Sequence, residues 1–359
     1  MQTGRISAES FATQVSDLMS RMKQSFLKKM LTLGNIVPPQ HTRYMAYLAA
    51  FYQASGIYPC SDGFLTWEIT DTDLTHHIGH GRYGSCFQGK FLGRHDVVLK
   101  YLHANDDDIY SKPRQGVDGE SRADFRLRRE VEIWKKLNHP HILPFIGLYK
   151  LHDTICMVSP RIEHGSAHVY AAKRPDASCL NLLVQVADGL QYLHGLGVIH
   201  GDLCGHNILV TAAGDARIAD FGLSLMMDED YPDSNSSGWH LGGNIRWRAP
   251  ELLRSINSTW PHKTTASDIF SFGRVVLELT TGARPFAEVL NDLALLDIVL
   301  SGECPRRPTS DDAMTRGLSD EVWALAKDCW AQNPEERPSA ADVFARLQAA
   351  VPVTLTTRQ

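Results

Sequence analysis

Apolar positions along the chain change their period, and the change divides the sequence. Phe11, Val15, Leu18, Met19, Met22, Phe26 and Met30 recur at three- and four-residue steps, the spacing that lines one face of a helix. Arg21, Lys23, Lys28 and Lys29 punctuate the polar side. A second helical run, about Thr42–Ala54, follows the break at Pro38-Pro39 and ends at Gly56. Residues 1–70 therefore read as a helical N-terminal extension that packs on the next domain. N-terminal helices that bind a protein partner, as calmodulin targets do, or lie on a membrane surface are the alternatives. From about Leu74 the texture turns strand-like, with β-rich runs at His76–Gln88 and Asp96–Leu102 joined by glycines. The polar stretch His103–Asp124 contains Asp106, Asp107 and Asp108, which read as a solvated loop rather than a cation site. Phe125–Leu137 is expected to be helical, and beyond Cys179 long helical stretches dominate. The expectation is an α+β chain, a small strand-rich part followed by a larger helical one.

Composition narrows the class. A chain of 359 residues has room for about two domains or one large one, and 43% hydrophobic residues supply a core, which excludes wholesale disorder. Lys and Arg number 36 against 41 Asp and Glu, so the net charge of −5 gives no general attraction for nucleic acid or an anionic membrane. The cysteines at 60, 86, 156, 179, 204, 304 and 329 are odd in number and form no C-x-x-C pair. They read as reduced thiols of an intracellular protein, not as a disulfide scaffold or a zinc site. The longest apolar runs, near Met45–Tyr52 and Leu293–Leu300, span about eight residues, too few for a membrane span. The N-terminus lacks the apolar centre of a signal peptide, and Gln2 is not the glycine that myristoylation needs. A soluble protein of the cytoplasm or nucleus is expected.

The candidate chemistry begins at Ile78-Gly79-His80-Gly81-Arg82-Tyr83-Gly84, a G-x-G-x-x-G loop between two strand-like runs. Glycines let backbone amides approach phosphates without side-chain obstruction, but alone the pattern also fits an ordinary turn. It lacks the strand-then-helix setting of a dinucleotide fold. Sixteen residues after Gly84, the apolar run Val97-Val98-Leu99 ends in Lys100, a lysine that is costly in such a strand unless paired. Glu130, in the helix that follows, offers the anion. Val198–Asn207 then places Asp202 and Asn207 five residues apart in a short loop before the strand Ile208-Leu209-Val210. Asp220-Phe221-Gly222 sets another carboxylate at a strand end. Ala249-Pro250-Glu251, Ser267–Gly273, Cys329-Trp330 and Pro334, Arg337 and Pro338 follow.

In order and spacing these motifs resemble the eukaryotic protein kinases over about residues 74–348. The resemblance implies a bilobal fold, with an N-lobe over about 74–159, a C-lobe over about 163–348 and a tail at 349–359. It implies that Gly79, Gly81 and Gly84 cover the phosphates of ATP, and that Lys100, fixed by Glu130, holds the α- and β-phosphates. Asn207 and Asp220 would chelate Mg²⁺ (or Mn²⁺), and Asp202 would take the proton of the substrate hydroxyl. Ile78, Cys86, Val98 and Leu209 would enclose the nucleotide, with Ser159 at the gatekeeper position and the Pro160 carbonyl and Ile162 amide reading the adenine edge. By the same resemblance, Trp134, Phe145, His200 and Phe221 form a stacked spine, Glu251 and Arg337 a buried ion pair, and Asp268 an anchor for the catalytic loop.

Three positions depart from the family's pattern. Gly201 stands where arginine commonly precedes the catalytic aspartate and pairs with a phosphate on the activation segment. Its absence argues against switching by that route, although Ser224, Tyr231, Ser234, Ser236 and Ser237 lie in the segment. Cys204 and Asn244 replace the lysine and threonine usual in serine/threonine kinases. Cys204 reads as a small filler, with a reactive thiol as the alternative. Asn244–Arg248, Cys329-Trp330 and Arg337-Pro338-Ser339 are closest to the tyrosine-kinase-like (TKL) branch, and the catalytic loop resembles that of kinases multiplied in mushroom-forming fungi. An ATP-dependent kinase acting on protein serine and threonine in signalling is expected. A pseudokinase scaffold is the alternative, and a small-molecule or lipid kinase would lack the Ala249–Glu251 segment.

Overall fold

The computed structural model describes residues 64–65, 68–73, 77–81, 84–102, 122–152, 154–174, 177–227, 245–254 and 262–351. The sequence-predicted helices before residue 64 and the tail beyond residue 351 lie outside them. The described chain forms two compact units. Residues 64–102, the start of one helix as far as Leu127, and Pro144–Arg161 belong to the first; Arg128–Leu143 and the residues from Ile162 onward belong to the second.

The first unit is built on a seven-stranded sheet. Its strands are β1 (Phe64–Leu65), β2 (Ile69–Asp73), β3 (Gly79–Gly81), β4 (Gly84–Phe91), β5 (His95–Leu102), β6 (Gly147–Leu151) and β7 (Thr154–Pro160). They run in the order β1-β6-β7-β5-β4-β2, with β3 beside β4, and all pair antiparallel except β1 with β6. Alternation in β5 decides which side is the core. Val97 and Leu99 are fully buried with Phe91, Ile146, Cys156 and Val158, whereas Val98 and Lys100 are half-buried. Lys100 is thus not embedded among the strand's buried residues, as the apolar run implied. The two-residue period turns it to the face opposite Val97 and Leu99.

Helix α1 (Arg122–Trp134) starts and ends three residues earlier than the expected Phe125–Leu137. Its last turn tightens: Lys136 and Leu137 donate to the carbonyls three residues back, Ile133 and Trp134, at 3.1 Å. The second unit contains α2 (Ala167–Lys173), α3 (Leu180–Gly195), α4 (Thr265–Thr281), α5 (Asp292–Ser301), α6 (Asp311–Thr315), α7 (Asp320–Cys329) and α8 (Ala340–Ala350). Two short ribbons accompany them, β8 (Val198–Ile199) with β11 (Leu225–Met226), and β9 (Ile208–Val210) with β10 (Ala216–Ile218). Helix α4 is the centre of this unit: residues 267–280 are all buried, and α2, α6 and α7 pack around it while α8 packs on α3. Its start is fixed by a capping box between Thr264 and Ser267, and Gly282 ends it in the left-handed conformation.

Candidate active site

Within the first unit, strand register collects the candidate nucleotide residues. Cys86 lies opposite Lys100, which lies opposite Met157; Gln88, Val98 and Ser159 form the next row but one. Directly paired residues share a face, so Cys86, Val98, Lys100 and Ser159 all project to the side away from Val97 and Leu99. Pro160 closes β7, and the backbone bond is taken over by Arg161, whose N–H donates to Asp96 at 2.9 Å. Ile78 is exposed and donates its N–H to Cys86. Gly79 and Gly81 belong to β3, and Gly81 is paired with Gly84. Glycine at 84 has a structural cause here as well: any Cβ would collide with the Tyr101 carbonyl oxygen of β5.

The second unit holds the remaining candidates. His200 and Gly201, following β8, donate their N–H groups to the two carboxylate oxygens of Asp268, each at 2.8 Å. The side chain of His200 bonds the Ala219 carbonyl through Nε2 at 3.0 Å, and its Nδ1 accepts the Asp202 N–H at 3.3 Å. The tautomer protonated on Nε2 satisfies both. Asn207, at the end of the 3₁₀ turn Gly205–Asn207, donates its amide nitrogen to the Asp202 carbonyl at 2.8 Å and to its carboxylate at 3.2 Å. That leaves the Asn207 amide oxygen to meet a cation. Gly205 donates to Glu278, also on α4, at 2.8 Å; Glu278 is fully buried and further bonded by Trp247 Nε1 and His168.

Charge follows this geometry. Burial would raise the Asp268 carboxyl, but the His194 hydrogen bond, the His194 and His200 charges and the Gly201 N–H hold it below its ordinary value. Asp202 goes the other way: burial raises it and Asp220 adds to the rise, against the opposing charge of Lys263. The Cys204 thiol is raised well above its ordinary value, by burial first and then by Asp202 and Glu278. A buried thiol so disposed is a filler, and the reactive-thiol alternative is set aside.

Asp220 lies two residues beyond β10 with φ at +66°, an uncommon conformation for a non-glycine residue, and its carboxylate accepts the Gly222 N–H at 3.4 Å. Phe221 is fixed between Trp134, 5.9 Å away between ring centroids, and His200, edge-on at 5.5 Å. Phe145 belongs to the first unit. Glu130 is buried on α1; its Oε2 and the Asp220 Oδ1 lie 3.1 and 3.3 Å from the point a Cβ on Gly222 would occupy. No group of three or more His, Cys, Asp or Glu suited to a metal occurs among the described residues. The oxygens of Asn207 and Asp220 instead suit a hard ion that keeps phosphate oxygens as ligands.

The supporting residues are also in place. Arg337 makes a bidentate pair with Glu251, at 2.6 and 2.8 Å. Ser224, a sequence candidate for phosphorylation, is buried and donates its hydroxyl to the His200 carbonyl at 3.0 Å, so it serves as an internal tie instead. Tyr231, Ser234, Ser236, Ser237 and Asn244 lie outside the described residues. Two residues that sequence reading passed over join the same place: Arg129 donates to the Ser224 carbonyl at 2.8 Å, and Lys263 donates to the Leu223 carbonyl at 3.2 Å. No motif marks either one.

A sheet-based unit, a helical unit and a catalytic loop held by a buried aspartate together define a protein kinase fold. Residues 72–347 match the family described as protein tyrosine and serine/threonine kinase, and the chain belongs to that family. Its relatives include the mitogen-activated protein kinase kinase kinase mkh1 of Cytospora mali, 29% identical over 75% of this chain and 14% of that one. The serine/threonine/tyrosine-protein kinase HT1 of Arabidopsis thaliana is 28% identical over 79% of this chain and 67% of its own length. The serine/threonine-protein kinase STY17 of the same plant is 27% identical over 81% of this chain and 47% of its own length. These relatives fit the TKL branch, and the chain spans only part of their length. The family acts on proteins and generally uses ATP and Mg²⁺. No helix among the described residues is long and apolar enough to cross a membrane.

Proposed function

We propose that this chain transfers the γ-phosphate of ATP to serine and threonine hydroxyls of intracellular proteins. The observation that carries this reading is the catalytic loop. Asn207 bonds Asp202, His200 bonds Asp202, and Asp268 holds the backbone of His200 and Gly201. A scaffold that had abandoned catalysis has no need of this arrangement, and Lys100, Glu130, Asp202, Asn207 and Asp220 are all retained.

In the proposed mechanism the amides of Gly79, Gly81 and Gly84 and the ammonium of Lys100 take the phosphates, while Glu130 supplies the matching anion. Ile78, Cys86, Val98 and Leu209 contact the base and sugar, and the Pro160 carbonyl and Ile162 amide bond the adenine. Asn207 and Asp220 hold Mg²⁺ or Mn²⁺, which when bound neutralises charge on the phosphates. The substrate hydroxyl oxygen attacks the γ-phosphorus, the bond to the β-phosphate oxygen breaks, and ADP leaves. Asp202 orients the hydroxyl and receives its proton. The partner-binding reading of residues 1–70 rests on sequence pattern alone.

The test is transfer from labelled ATP by the purified full chain to mixed Ser, Thr and Tyr peptides, with Mg²⁺ and then Mn²⁺. Label on Ser or Thr that Asp202→Asn lowers by about 1,000-fold or more is the expected result. Label on Tyr alone overturns the specificity, and a folded chain that transfers nothing overturns the activity.

A further inference from the structure

The arginine and the lysine that kinases usually carry at the positions of Gly201 and Cys204 are missing from this chain, yet another lysine stands close to Gly201 and Asp202. It is Lys263, the residue immediately before the capping box that starts α4. Lys263 is buried, and its Nζ donates to the Leu223 carbonyl at 3.2 Å. A Cβ added at Gly201, where φ is +77°, would stand 2.7 Å from the Lys263 Cδ and 3.0 Å from its Nζ. The space in which a side chain at 201 would begin is therefore already filled by a lysine more than sixty residues away in sequence.

On the kinase reading given above, we propose that Lys263 is a positioning residue for phosphoryl transfer. It fills the vacancy at Gly201, ties the segment after Asp220 to the catalytic loop, and brings its amino group close to Asp202. The capping box fixes the backbone that follows the lysine, and burial and the bond to the Leu223 carbonyl hold its amino group in one place. Its surroundings agree. Burial pushes the pKa of Lys263 down to about 7 and that of Asp202 up, and each is the first charge opposing that effect on the other, ahead of Arg248, Asp268 and Arg129 for Lys263. The bond to Leu223 works with the Ser224 hydroxyl on the His200 carbonyl and Arg129 on the Ser224 carbonyl. The segment Phe221–Ser224 is thus stitched to the loop, to α1 and to the residue before α4 by groups present in the unmodified chain. No added phosphate is required for this stitching.

The experiment compares wild type with Lys263→Met, which keeps length and loses charge and donor, and Lys263→Gln, which keeps a donor and loses charge. Steady-state kinetics and amide hydrogen exchange are read on the full chain. Lys263→Met is expected to lower kcat by about 10- to 100-fold with KM for ATP changed less than about threefold. Exchange should rise at residues 200–204 and 221–227 and stay at wild-type levels in α3 and α8. Lys263→Gln should lower kcat similarly while its exchange stays nearer wild type, and it decides the question if the methionine variant does not fold. A folded variant with kcat within about twofold of wild type and unchanged exchange overturns the proposal. A wild-type chain that transfers no phosphate overturns the kinase reading, and exchange still decides whether Lys263 anchors the segment.

Discussion

Replacing Arg337 by methionine removes every donor of a guanidinium that serves several elements at once while keeping much of its volume. In the native chain Arg337 gives two short bonds to Glu251, one to the Ala331 carbonyl at 2.9 Å and one to the Ala266 carbonyl at 3.0 Å. Its guanidinium also lies 5.1 Å from the Phe270 ring centroid. Bonds to a charged group contribute about 1.5–3 kcal/mol each, so simple addition of the four would give about 6–12 kcal/mol. That sum is too large, because the Glu251 side chain is 24% exposed and can recover water when its partner is gone. The loss is therefore set at about 3–5 kcal/mol, the range for breaking a buried pair from one side. Glu251→Gln should cost somewhat less, since the amide still accepts one bond from a side chain that the carbonyls continue to hold. Urea unfolding of both single variants and the double variant, followed by circular dichroism and tryptophan fluorescence, gives the coupling directly, expected at about 2–3 kcal/mol. A loss below about 1 kcal/mol for Arg337→Met, or additive single effects, refutes the reasoning.

Two further outcomes follow from charge and burial. Asp268 has its folded-state carboxyl held below the ordinary value of 3.8, so its stabilising contribution is complete above that value and is lost as pH falls through the lower folded value. The stability gap between wild type and Asp268→Asn should therefore be constant near neutral pH and shrink below about pH 4, and a gap independent of pH in urea titrations would count against the assignment. The thiols should separate in the same way: Cys304 is exposed and Cys204 buried, so brief iodoacetamide treatment of the native chain should label Cys304 and leave Cys204 unmodified until unfolding. Peptide mass spectrometry that finds Cys204 labelled first would restore the reactive-thiol reading.

What the sequence made legible was whatever a short stretch encodes. The loop Val198–Asn207, the pair Glu251 and Arg337, and the role of Asp268 could be named because each sits in a motif of fixed spacing. The face of Lys100 was harder, since an apolar run of three residues hides which of them alternate into the core; only the neighbouring strands β4 and β7 settle it. Ser224 looked like a surface serine because nothing local shows that its hydroxyl meets a carbonyl 24 positions earlier. Lys263 was invisible for the same reason. Between His262 and Thr264 it is an ordinary polar residue, and its meaning depends on Gly201 and Leu223, which chain folding brings to it.

Asp268 and Glu278 stand ten residues apart on α4, about 15 Å along its axis. Between them they grip main-chain amides near both ends of the catalytic loop, His200 and Gly201 at one end and Gly205 at the other. A loop clamped through its backbone does not rely on its own side chains for shape. This frees the side chains of the intervening positions: Cys204 can stand where a lysine is usual without the loop losing its course. Novelty in such a loop then takes the form of changed chemistry on an unchanged path, with the central helix as the guarantor of the path.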